Sequence, residues 1–190
     1  MMSNVEAQAI HDFWFGAPES DTFGKDREEW FKTSDAFDDA CRLAMADHYG
    51  PAQSGLMDHW VGEVVSGVAL CLVLDQYPRN AFRGTAKAFA TDAKARLVSQ
   101  NLIDGGLDEG MIKVQRAFVY MSFMHGEDQA DQDHSVALFE ELGDANNLDF
   151  AIRHRDIILR FGRFPHRNEI LGRDSTAEEI EFLKQPNSSF

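Results

Sequence analysis

The chain has 190 residues, 44% hydrophobic and 26% charged, a globular balance for about one domain that excludes a disordered tail or a fibre. Its 18 Lys and Arg stand against 32 Asp and Glu, which gives a formal charge of −14. A surface that acidic repels phosphate backbones and anionic headgroups, so neither nucleic acid nor a membrane is expected as a partner.

Taken in chain order, helical periodicity dominates and no set of alternating strands emerges. Ser3 is expected to cap a helix through Phe15, with Val5, Ala9, Ile10 and Phe13 sharing a face, and Gly16 and Pro18 end it. A short acidic helix around Arg27–Lys32 offers Trp30 and Phe31 for packing. Ser34 caps the next helix, which carries Phe37, Cys41, Ala44, Met45 and His48 on one stripe until Gly50-Pro51 stops it. Met57–Leu74 is apolar nearly all round at its C-terminal end, the pattern of a central helix. Helices are predicted over Lys87–Leu102, Glu109–Met124, Gln129–Leu142 and Ala145–Phe161. Ser175 and Glu178 have the form of a capping box for a short last helix to about Leu183. The pattern predicts an all-α fold of consecutive antiparallel helices, a single domain over residues 1–190.

Cys41 and Cys71 lie in apolar surroundings and are expected to be inert core thiols. The start, Met-Met-Ser-Asn-Val-Glu, lacks the basic and apolar regions of a signal peptide. The longest apolar stretch, Val61–Leu74, is broken by Glu63 and Ser66 and falls short of the roughly 20 residues that cross a bilayer. A reducing compartment and a cytoplasmic location are expected.

Two segments echo each other. Asp75-Gln76-Tyr77-Pro78-Arg79-Asn80 and Gly162-Arg163-Phe164-Pro165-His166-Arg167-Asn168 both place aromatic-Pro after an apolar helix and continue to Arg-Asn. Proline ends a helix and asparagine caps the next element, which accounts for those two positions but not for the arginines or Asp75. A carboxylate at a helix C-terminus faces the negative pole of the macrodipole, so Asp75 calls for a cation, with Arg79 nearest and the arginines from Arg155 to Arg167 as competitors. It is expected to be buried in a structural ion pair.

Arg153, Arg155, Arg160, Arg163, Arg167 and Arg173, with His154 and His166, crowd one stretch of an acidic chain. Such a concentration can form an anion site or simply neutralise surplus carboxylates. His154 shares a face with Phe150, Ala151, Ile157, Ile158 and Phe161 and points inward. His125 continues the stripe of the preceding helix, beside Glu127. The spacing of His125, Glu127, His154 and His166 matches no established metal motif, so no metal or other cofactor is expected. Nucleophile-elbow and phosphate-loop patterns are lacking as well.

These segments resemble a bacterial family known as domain of unknown function 924. The resemblance rests on Phe13-Trp14-Phe15-Gly16, Leu74–Asn80 with Phe82-Arg83-Gly84, Gln115–Phe118, Met124–Asp128, His154-Arg155-Asp156, Phe161–Asn168, Leu171-Gly172-Arg173 and Ser175-Thr176. Ser122 stands where proline is expected and Gly126 where serine is commoner. The resemblance implies a tetratricopeptide-like helical fold and brings no established activity or cofactor.

Three functions fit the residues. The first is binding of a small anionic ligand or acidic peptide terminus in a polar pocket lined by Arg79, Asn80, His125, His154, Arg155, Arg163, His166, Arg167 and Asn168. The second is a hydrolase using His125 or His154 as general base near Glu127 or Asp75, with or without a metal. The third is a protein-interaction scaffold. The first requires the Tyr77–Asn80 and Phe164–Asn168 turns on one side of the fold. It also requires His125 and His154 in one cavity, with His166 or Arg167 at its mouth.

Overall fold

The structure, a computed structural model, describes residues 2–189, with side chains from Val5 onward. Helix α1 (Met2–Phe15) begins before Ser3, whose expected capping side chain lies outside the described residues. The buried face of α1 is Ala7, Ile10, His11, Trp14 and Phe15. Val5 is 71% exposed and Ala9 also faces out, so the predicted face is rotated, with only Ile10 placed as expected. The reason is the bulk of Trp14, which stacks on Trp30 at 6.1 Å and meets Phe118 edge-on at 5.4 Å. Rings of that size decide which way a helix turns its apolar stripe.

Trp30 sits in a 3-10 turn, Glu28–Trp30, where the sequence predicts a short helix. Helix α2 (Asp35–Ser54) starts at Ser34, whose hydroxyl accepts from the Phe37 N–H at 3.3 Å, as expected. It runs through Gly50-Pro51 and ends instead at Gly55, which takes the left-handed conformation at φ +89°. A proline in the last turn forfeits only one backbone bond, whereas Gly55 adopts a conformation that ends the helix outright.

A 3-10 turn, Asp58–Gly62, precedes helix α3 (Val64–Ala81), so the predicted helix over Met57–Leu74 starts later and ends later. Every residue from Ser66 to Pro78 is buried, and α3 packs against α1, α2 and α4 (Asp92–Asp104). The all-round apolar pattern thus marks a central helix, as predicted. Pro78 lies inside α3 rather than ending it. Proline has no N–H for the carbonyl four residues back. That carbonyl, Leu74 O, takes a hydrogen bond from the Thr91 hydroxyl at 2.5 Å, which removes the penalty that would have ended the helix.

The predicted helix over Lys87–Leu102 is divided into a 3-10 turn, Ala86–Phe89, and α4. Helix α5 (Lys113–Met124) follows a 3-10 turn, Asp108–Gly110, where Tyr120 donates to Asp108 at 2.6 Å. Both cysteines are buried and free, and burial pushes their thiols up to about 12, as befits inert core groups.

The chain forms two compact units, one up to Arg83 with Lys87–Ser122, the other Gly84–Ala86 with the chain from Phe123 onward. In the second, α6 (Gln129–Leu142) and α7 (Ala145–Phe161) are capped by Asp128 and Asp144 and occupy their predicted spans. Gly143 at φ +65° turns the chain between them into an antiparallel hairpin. Ile157, Ile158 and Phe164 form the core of this unit, with Phe161 and Phe182 packed on it. Phe150 is 39% exposed and does not join the inward face of α7. Helix α8 (Ala177–Phe182) begins at a capping box made by Thr176 and Glu179, one residue beyond the predicted pair. Among the described residues there is no strand, and no helix is long and apolar enough to cross a membrane.

Thr91→Val keeps the shape of the side chain but leaves Leu74 O buried without its donor. We expect a loss of about 1–3 kcal/mol in urea denaturation. Adding Pro78→Ala supplies an N–H to the same carbonyl and should recover part of that loss in a double-mutant cycle.

Candidate functional site

In the first unit, Asp75 is fully buried. Its carboxylate accepts from Gln76 Nε2 at 2.6 Å and lies 3.2 Å from Arg79 Nη1. The same Arg79 nitrogen donates to the Asp75 carbonyl at 2.7 Å, and the guanidinium grips Asp92 at 2.8 and 3.0 Å. The residues are four apart on α3, which puts them on one face, and the first turn of α4 brings Asp92 to them. Asp75 is therefore buried and paired with an arginine, as its sequence setting predicts. Asn80 caps nothing: it lies within α3, donating to Gln76 O at 3.0 Å and accepting from Arg83 at 3.3 Å. The Pro and Arg-Asn positions of this segment thus belong to a helix, whereas those of its echo belong to a 3-10 turn and its end.

In the second unit, that turn, Pro165–Arg167, comes after α7 and places Phe164, fully buried, at the centre of a polar cluster. Glu127 accepts from the Phe164 N–H at 2.7 Å and from Arg173 at 2.6 and 2.9 Å, while Arg173 also donates to Phe164 O at 3.1 Å. Two arginine bonds and one amide bond hold the Glu127 carboxyl below the usual range against the opposing effect of burial. The Arg167 guanidinium, itself buried, lies over the Phe164 ring at 4.5 Å.

His154, 5% exposed, meets Phe164 edge-on at 5.5 Å, and the His125 ring lies 6.4 Å from it. The His166 ring is 5.6 Å from Phe164. His154 Nδ1 sits 2.8 Å from Phe150 O, an atom that only accepts, so Nδ1 carries the proton and Nε2 is the acceptor of a neutral ring. Burial lowers the His154 pKa to about 3; the Phe150 bond opposes this, and His125, Arg167 and His166 push it further down. His154, His166 and Arg167 are therefore brought together around one phenylalanine, with His125 beside His154.

The remaining arginines behave otherwise. Arg153 pairs with Asp149, Arg155 with Asp156, and Arg160 with Glu178. Arg163 grips Glu179 at 2.7 and 2.8 Å and donates to Asp174 O at 2.9 Å. Together with Arg173 on Glu127, they take the neutralising role that the acidic composition allows. Asn168 donates to Ser175 at 3.1 Å and ends the Pro165–Arg167 turn, so it caps no following helix. Sequence reasoning passes over Phe164 as a hub and Thr91 as a donor. Neither carries a charge or motif that would single it out. Among the described residues no group of three or more His, Cys, Asp and Glu is placed to hold a metal ion.

Helices with no strand among the described residues, and a central helix buried on every side, define an all-α protein whose C-terminal unit carries a polar cluster around Phe164. The chain belongs to the family described as bacterial protein of unknown function (DUF924), which matches residues 10–187. It is similar to a solved structure of a protein of unknown function, ATU0120, from Agrobacterium tumefaciens. The two are 40% identical with a TM-score of 0.87, over 96% of this chain and 98% of that one. Comparison with curated proteins gave no match.

Asp75→Ala removes one of two carboxylates around Arg79. Because Asp92 remains, we expect a loss near 3 kcal/mol, about the lower end for breaking a buried pair, in denaturant unfolding.

Arg163, the Thr176 amide and Asn168 hold Glu179 down to about 2 from its ordinary 4.5. A depressed carboxylate contributes stability above its unfolded pKa that is lost as pH falls through the folded one. Thermal melts followed by circular dichroism should therefore show stability falling between about pH 4.5 and 2, with a shallower fall for Glu179→Gln.

Proposed function

We propose that the second unit binds a small anion, a carboxylate- or phosphate-bearing metabolite or the acidic end of a peptide, at the cluster around Phe164. One observation carries this reading. The buried Arg167 guanidinium lies over the Phe164 ring at 4.5 Å, with the His154 and His166 rings against the same phenylalanine, so a fixed positive charge sits among imidazole groups that can bond an anion. His125 and His166 are half-buried rather than sealed, which leaves the cluster an approach from solvent. Arg155, Arg163 and Asn168 then serve as its supporting frame through their own pairs, and Arg79 and Asn80 frame α3 in the first unit.

Binding is favoured over hydrolysis by the state of the carboxylates. A general base or acid must be ready to exchange a proton with substrate. Glu127 is tied to Arg173 and the Phe164 amide, and Asp75 to Gln76 and Arg79. Two buried, free cysteines suit a cytoplasmic location.

Thermal shift at pH 7 with inorganic phosphate and with citrate, each against sodium chloride of equal ionic strength, tests the proposal. A ligand at about ten times its Kd adds roughly 1.4 kcal/mol, or about 3–6 °C for a chain of this size. His125→Ala and His166→Ala should abolish the shift while leaving the helical circular dichroism intact. Anions that act no better than chloride, or variants that keep the shift, overturn it.

A further inference from the structure

The first unit carries an arrangement of the opposite charge preference. Tyr49 from α2 and Tyr77 and Phe82 from the end of α3 form three mutually tilted rings. Their centroids are 5.3 Å apart for Tyr49 and Tyr77, 5.5 Å for Tyr49 and Phe82, and 5.7 Å for Tyr77 and Phe82. The interplanar angles are 46°, 55° and 85°, so the rings present walls rather than a stack. The Lys87 ammonium sits against two of these rings, 3.9 Å from the Phe82 centroid and 5.7 Å from that of Tyr49. Both distances lie within the range at which a ring quadrupole attracts a cation.

Two further facts set this lysine apart. The chain holds 32 acidic residues, yet among the described residues the Lys87 side chain makes no hydrogen bond or ion pair and rests on ring faces alone. Lys87 is exposed, whereas Tyr49 and Tyr77 are buried, so the cation lies on the solvent side of the rings. The Tyr49 hydroxyl is buried and unpartnered, which leaves one polar atom for an occupant that carries an oxygen or nitrogen besides its charge.

We infer that Phe82 and Tyr49, backed by Tyr77, form a binding site for an alkylammonium cation, occupied in this chain by its own Lys87. Rings bind a methylated ammonium through its diffuse charge, at less desolvation cost than the compact lysine head. An incoming alkylammonium therefore competes with Lys87, and the lysine sets the threshold at which the rings become free.

Titration of tetramethylammonium chloride into the full chain, followed by calorimetry against sodium chloride, tests this directly. Lys87→Ala and Lys87→Gln should each bind the probe about ten-fold more tightly than the unsubstituted protein. Adding Phe82→Leu, which keeps apolar bulk but removes the ring, should abolish that binding with the circular dichroism unchanged. If the Lys87 variants bind no more tightly than the unsubstituted protein, or if Phe82→Leu retains binding, the rings are packing alone and the inference fails.

Discussion

A helix buried on every side must satisfy its polar groups from its neighbours, and α3 imposes that condition on the first unit. Its carboxylate at Asp75 is met within the helix by Gln76 and Arg79, and Arg79 is in turn met by Asp92 from α4. Its proline leaves a carbonyl that only another element can reach, and Thr91, just before α4, supplies the hydroxyl. The start of α4 is thus fixed by two polar groups of α3, and buried polar groups specify such a docking more sharply than apolar contact does.

The second unit meets the same condition in another way. Burying an imidazole costs less if it stays neutral, and His154 does so by donating from Nδ1 to a carbonyl of its own helix. Glu127, by contrast, keeps its charge because Arg173 and the Phe164 amide surround it. A neutral acceptor and a compensated carboxylate lie around one ring, with the Arg167 guanidinium over that ring providing the uneven charge. That unevenness is what sets the cluster apart from the exposed ion pairs on the rest of α7, such as Arg153 with Asp149, which are worth little individually.

Much of this is legible in the sequence where one strong local signal decides the outcome. Gln129–Leu142 and Ala145–Phe161 have acidic caps in front and glycines behind, so their ends coincide with the prediction. The depth of α3 and the burial of Asp75 come from an apolar run with a charge in it. The illegible features depend on distant partners. Pro78 reads as a stop because nothing nearby shows that Thr91 will complete the carbonyl it exposes. The face of α1 is misread because Val5, Ala9 and Phe13 fit a helical period as well as the true set does, and only the packing of Trp14 on Trp30 chooses between them. The capping box shifts by one because Thr176 and Ser175 are chemically alike, and the pairing of Glu179 with Arg163 settles which is used. The members of the histidine cluster stand out in the sequence, but its organisation around Phe164 does not, since a phenylalanine after a helix looks like ordinary packing.

The central claim is that His154 is a neutral, Nδ1-protonated acceptor in an electropositive setting, and the nitrogen chemical shifts of its imidazole measure both properties at once. At pH 5 the account predicts a neutral ring with the proton on Nδ1, titrating only near pH 3. An imidazolium already present at pH 5, or a neutral ring protonated at Nε2, would contradict it.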